Sequence, residues 1–175
     1  IESGNDAMDL SGKKISFFYQ GEQGGAWASH ILLKASDCLP LDESMPDEQA
    51  ACFAVNPFTA FAMVDMADKA GSRALVQDAA AGQLARFIEI LAQEKGIAVI
   101  NIVRKEEQVS QLKSQGSKYV LWQQDGSFEE ELNALTHELG AQLAFDAAGG
   151  SLSGIILKNM RSEEHTSELQ SLLII

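Results

Sequence analysis

The run Asp78-Ala-Ala-Ala-Gly-Gln-Leu-Ala-Arg86, set between an apolar segment and an amphipathic one, holds side chains whose size and spacing could do chemistry. Small residues there let the backbone approach a pyrophosphate, and the N–H groups of a following helix start would hold its charge. The run departs from the strict Gly-x-Gly-x-x-Gly fingerprint. Only Gly82 is a glycine, and Ala79, Ala81 and Ala85 take the other close-approach positions, a looser Ala-x-x-Gly-x-x-Ala pattern. Ordinary tight packing of a strand against a helix explains the run about as well.

A second signal lies about 20 residues on, where NAD-specific domains place an acidic side chain on the ribose hydroxyls. The sequence there reads NIVRKEE. Asn101 is neutral at the expected strand end, while Arg104 and Lys105 supply positive charge suited to a 2′-phosphate, favouring NADPH over NADH. The plainer reading is a solvated helix start in which Arg104 pairs with Glu107 or Asp125. Next to the first run, the cofactor reading gains.

A third segment, FDAAGG (145–150), would put a small, glycine-rich loop at the carboxyl edge of a sheet, where ligands of open α/β sheets bind. Asp146 could be read as an acid, although a strand-end carboxylate capping the next turn is commoner. His30, His137 and His165 have no ligand-like spacing with one another or with Cys38 and Cys52, so no metal site is expected.

These positions need a frame. Segments 13–20 and 28–34 are rich in apolar and aromatic residues and predict two short strands around the loop GEQGGAW. Pro46 predicts a short helical turn with Asp47 and Glu48 near its start, and Asn56-Pro57 opens a helix running through Met66 toward Gly71. From Arg73 the order becomes regular. Strands at 73–78, 97–103, 118–122 and 142–146 alternate with helices at 82–95, 105–115 and 127–139, the last capped by Ser127. Such alternation implies right-handed crossovers and a doubly wound parallel sheet of the Rossmann type.

With 175 residues, 46% of them hydrophobic, the chain can bury one sizeable core. Its formal charge of −12 argues against nucleic acid or an anionic membrane as partner. Two isolated cysteines suit a reducing compartment, and the cytoplasm is expected. No apolar run approaches the roughly 20 residues that span a bilayer. The chain starts at Ile1 rather than Met, so more sequence is expected upstream. At the other end RSEEHTSELQS (161–171) resembles the translation of a sequencing-library adapter, which points to a natural sequence cut off near Met160. Without those eleven residues the charge is −10, since they hold one Arg and three Glu.

In order, GGAW (24–27), KASDCLPL (34–41), VNPFTA (55–60), AAAGQLAR (79–86), NIVRKEEQ (101–108) and FDAAGG resemble the zinc-independent quinone oxidoreductase and 2-enoyl thioester reductase branch of the medium-chain dehydrogenase/reductase superfamily. The resemblance covers roughly residues 12–158 and implies three parts. Residues 1–54 would end a GroES-like catalytic domain, 55–160 would be a truncated NADP-binding Rossmann domain, and 161–175 an artefactual tail. It implies that Asn56 and Thr59 lie near the nicotinamide or its ribose, that Ala81, Gly82, Gln83 and Leu84 line the pyrophosphate, and that Arg104 and Lys105 face the 2′-phosphate. It further implies NADPH as cofactor and hydride transfer to an activated double bond or a quinone, with a homodimer as the whole protein's assembly. The cofactor supplies the chemistry and the protein orients it. An upstream Tyr assists catalysis in the enoyl reductases. Tyr19 and Tyr119 stand in the wrong contexts, so no catalytic residue is assigned.

Two other functions compete. A non-catalytic dinucleotide sensor fits a chain that holds a cofactor site and no chemistry, and a methyltransferase-like domain would need an acidic residue ending the second strand, which is lacking. A sheet cut after 142–146 should leave an unpaired edge and a poorly soluble fragment.

Overall fold

Alternate residues along each strand of a sheet covered on both sides face opposite layers, so each strand must be apolar throughout. That is what residues 74–145 provide. The computed structural model describes residues 9–19, 25–160 and 172–174, and the chain divides into two units, Ile1–Phe58 and Thr59–Ile175.

In the first unit β1 (Ile15–Phe17) pairs antiparallel with β2 (Cys38–Pro40), partnering Ile15 with Pro40 and Phe17 with Cys38. A 3₁₀ turn, Ala35–Asp37, leads into β2. The short helix α1 (Asp47–Ala51) starts after Pro46 with Asp47 and Glu48 in its first turn. Lys14 Nζ ties it to β1, donating to the Met45 carbonyl and pairing with Asp47, both at 2.7 Å. Two expectations fail here. Only three residues of 13–19 pair as a strand, with residue 20 outside the described set, and 28–34 forms no strand at all. Composition can suggest a strand, but a ladder partner makes one, and 28–34 has none; Trp27 and Leu32 stand exposed.

Helix α2 (Asn56–Lys69) opens at Asn56-Pro57, and its Ala60, Val64 and Ala67 are buried. There follow β3 (Ala74–Gln77), α3 (Gln83–Glu94), β4 (Ala98–Val103), α4 (Glu106–Ser114), β5 (Tyr119–Trp122), α5 (Phe128–Leu139), β6 (Ala141–Phe145) and α6 (Ser151–Met160). The strands are parallel in the order β5-β4-β3-β6. The order in which strands are added therefore reverses between β3 and β6, the switch point at which doubly wound sheets bind ligands.

The two layers follow the period of two. Leu75, Val99, Leu143 and Phe145 pack with Val64 of α2 and Ile88 of α3. Val76, Ile100, Leu121 and Ala144 pack on the other side with Leu132 of α5 and Ile156 of α6. A smaller cluster of Ala80, Ala85, Val103, Leu112 and Val120 seats α4. Helix α5 ends at Gly140 with φ 70°, where a Cβ would meet the Arg73 guanidinium at 2.8 Å. Its start is held differently from expectation: Ser127 makes no side-chain cap, and Asp125 accepts from the Ser127 N–H at 2.9 Å instead.

Beyond α6, β7 (Leu172–Ile174) lies parallel to β6, partnering Leu143 with Leu172 and Phe145 with Ile174. The edge of β6, expected to be unpaired, thus carries a three-residue strand. Among the described residues no helix is long and apolar enough to cross a membrane.

Candidate functional site

Strand β3 delivers the 78–86 run to the carboxyl edge of the sheet. Asp78 is buried, and Ala79 turns the chain with φ 46°, a left-handed conformation that costs an L-residue about 1–2 kcal/mol. The Ala80 N–H donates to the Ile102 carbonyl at 3.2 Å, fastening the turn to β4, and the Gly82 N–H donates to the Ala79 carbonyl at 2.9 Å. Gly82 then caps α3 with extended backbone. A Cβ there would lie 3.1 Å from the Ala79 oxygen, so the turn is tight enough to favour glycine.

This turn borders an open groove of about 420 Å³ lined by Ala81, Gly82, Gln83 and Arg86 on one side and Gln111 and Gln115 of α4 on the other. Arg86 Nη1 donates to the Gln115 carbonyl at 3.3 Å across its end. Three of the four residues expected at a pyrophosphate, Ala81, Gly82 and Gln83, therefore share one surface, and each is exposed. The fourth, Leu84, is partly buried against the core beneath α3. Of the alanines counted as close-approach positions, Ala85 is buried under the helix, where its carbonyl accepts from Gln77.

Arg104 and Lys105 follow β4 directly and are exposed. They do not line the groove. The indole N–H of Trp122, at the end of β5, donates to the Arg104 carbonyl at 3.2 Å and fixes the loop backbone. Glu107 stands 3.7 Å from Lys105 Nζ, an exposed pair of small energetic weight. Strand β4 closes at Val103, as the expected strand 97–103 did, so Asn101 stands two residues inside it. It is fully buried and accepts from Gln77 Nε2 at 2.7 Å. Ile102 and Val103 continue the apolar run to the strand end. Asn56 and Thr59 occupy the first turn of α2.

The sequence reading missed a carboxyl pair. Asp78 ends β3 and Asp146 ends β6, and because Gln77 and Phe145 are register partners the two acids stand side by side. Asp78 accepts from the Ala147 N–H at 2.7 Å and the Ala148 N–H at 3.0 Å. Asp146 accepts from Ala148 at 3.1 Å, Gly149 at 2.6 Å and the Ser153 hydroxyl, so it does cap the turn after its own strand. Burial and the neighbouring Asp146 push Asp78 up to about 6. Burial acts on Asp146 in the same direction, but hydrogen bonds from Asp78, Ser153, Gly149 and Ala148 outweigh it and hold that carboxyl below its ordinary range. The signal available in sequence was the repeat of Asp-Ala-Ala after two apolar strands.

Among the described residues no three His, Cys, Asp or Glu side chains gather as a metal set. The geometry offers small side chains, a helix N-terminus and two exposed cations along one sheet edge, which suits a phosphorylated nucleotide.

No protein-family model matches the chain. The mitochondrial enoyl-acyl-carrier-protein reductase of Arabidopsis thaliana is 28% identical over 142 residues, covering 78% of this chain and 38% of that protein. The protein of the same name from Caenorhabditis elegans is 31% identical over 135 residues, covering 74% and 38%. Among solved structures, a Mesorhizobium loti protein provisionally assigned as an NADPH:quinone reductase superposes with a TM-score of 0.68 at 36% identity, covering 73% of this chain and 37% of its own. A mutant form of the enoyl thioester reductase from Candida tropicalis gives a TM-score of 0.63 over 78% of this chain and 42% of that one. At 19% identity that second likeness speaks for the fold alone. The chain spans 38% of the length of these curated relatives.

Proposed function

We propose that this chain is a member of the medium-chain dehydrogenase/reductase superfamily and forms the nucleotide-binding portion of an NADPH-dependent oxidoreductase that reduces an activated double bond or a quinone. On this reading residues 55–160 bind the cofactor and residues 1–54 end the catalytic domain. The observation that carries the proposal is the Ala79–Gly82 turn at the switch point between β3 and β6, held by backbone hydrogen bonds and tight enough to favour glycine at position 82.

The residues present fit the cofactor. Ala81, Gly82 and Gln83 would hold the pyrophosphate at the start of α3, where the helix dipole favours anions. Arg104 and Lys105 would take the 2′-phosphate; residues 101–103 of β4 hold no acidic side chain, and Glu107 is only loosely paired with Lys105. Asn56 and Thr59 are assigned to the nicotinamide or its ribose. When bound, NADPH supplies the hydride. The chain's own part is to bind and orient.

The relatives named above as reductases favour an enzyme over a sensor module. Substrate class remains part of the proposal, as do a homodimeric assembly of the whole protein and its compartment. We assign a reducing compartment from the two free cysteines and expect the cytoplasm, although the matching curated relatives are named as mitochondrial. The deciding assay is NADPH oxidation by the whole gene product with 2-enoyl thioesters and with quinones. Turnover of either class supports the proposal, and turnover of neither sinks it.

A further inference from the structure

Two acids meet at the carboxyl edge with 4% and 3% of their surface exposed, for Asp78 and Asp146 respectively. Each is held by the same short loop. The Ala148 N–H is shared between both carboxyls, Ala147 points only to Asp78, and Gly149 only to Asp146. The side chain at the end of β3 is therefore bonded to the loop that follows β6, and through it the turn beginning at Ala79 is placed against residues 147–150.

Two full negative charges in contact repel at this burial, whereas a carboxyl donating to a carboxylate attracts. Asp146 keeps the charge, because it has the Ser153 hydroxyl and the Gly149 N–H in addition to the shared donor. Asp78 takes the proton. Among the described residues the elements packed about it bring no other charge to bear: the loop contributes backbone N–H groups, α6 contributes the neutral Ser153, and the charged side chain acting on Asp78 is Asp146.

We propose that Asp78 and Asp146 share one proton and form a pH-sensitive clamp that positions the Ala79–Gly82 turn against the Ala147–Gly150 loop. The positioning half rests on the cofactor reading above; the proton-sharing half does not. With Asp78 titrating at about 6, the clamp is closed below that pH and loosens as the second carboxyl ionises.

The test uses the full chain, its Asp78→Asn variant and NADPH. Asparagine keeps the acceptor for the Ala147 N–H and a donor for Asp146, and leaves the Ala148 N–H to Asp146, so it stays neutral like the protonated acid at every pH. The ligand-free wild-type melting midpoint should fall by roughly 2–3 °C between pH 5.5 and 7.5, and the variant should stay level. The ratio of variant to wild-type NADPH affinity cancels the titration of the cofactor's own phosphate. It should rise about fivefold over the same range.

Carboxyl NMR of the unmodified chain provides an independent reading, with Asp78 titrating near 6, and Asp146→Asn should move that titration toward the ordinary carboxylate range. A level wild-type profile, or one whose inflection survives Asp78→Asn, overturns the shared proton. An affinity ratio that does not change with pH overturns the positioning role alone. If no nucleotide binds at any pH, the cofactor reading and the positioning role fall together, while the melts still judge the proton pair.

Discussion

Gln77 of β3 and Asn101 of β4 are register partners in the parallel sheet, and Gln77 Nε2 donates to Asn101 Oδ1 at 2.7 Å with both residues closed to solvent. The same Nε2 reaches the Ala85 carbonyl at 3.2 Å, so one side chain joins two strands to the first turn of α3. Gln77 Oε1 and Asn101 Nδ2 have no hydrogen-bond partner. Removing one member should strand the other. Asn101→Leu alone is expected to cost about 1–3 kcal/mol in urea melts, while Gln77→Met with Asn101→Leu recovers most of that loss. A double variant as unstable as the summed single ones would show no coupling between the two side chains and contradict this reading.

The left-handed Ala79 makes a separate prediction about the turn. Ala79→Gly relieves the φ 46° strain and pays back part of it in unfolded-state entropy, so stability should hold level or rise by about 0.5 kcal/mol. Ala79→Val adds a β-branched side chain where one is poorly tolerated and should lower the melting midpoint. If valine were neutral, the turn would not have the conformation described here.

Ser153 should govern the acid limit of stability. Its hydroxyl helps hold the Asp146 carboxyl below the ordinary range, and a carboxylate with a depressed value contributes stability that is present above its unfolded value and lost as pH falls through the folded one. Ser153→Ala raises the folded value, so acid unfolding should begin at higher pH than in wild type. Circular dichroism between pH 2 and 5 checks this, and coincident curves would contradict it.

The four-strand core was legible because its signals are local. Apolar strands at 74–77 and 98–103 and amphipathic helices between them show their period over a few residues. Strands β1 and β2 were poorly legible because three residues leave no period to read, and β2 ends in Pro40. The alternation also located the 78–86 turn and the exposed Arg104 and Lys105. It placed the end of β4 at Val103, but it could not reveal that Asn101 pairs with Gln77, since that needs the register of β3 against β4. Nor could it reveal that residues 68 positions apart, Asp78 and Asp146, would touch, because only the pairing of β3 with β6 brings them together.

The central claim is a cofactor site at the carboxyl edge with a preference for the 2′-phosphate. Its most direct test is a fluorescence titration of the folded chain and its Arg104→Ala variant with NADPH and with NADH. A charge-assisted hydrogen bond is worth about 1.5–3 kcal/mol, so NADPH should bind at least about tenfold more tightly than NADH, and the variant should lose most of that preference, Lys105 keeping the rest. Equal binding of both nucleotides by the unmodified chain, or a preference undiminished in Arg104→Ala, would contradict the account.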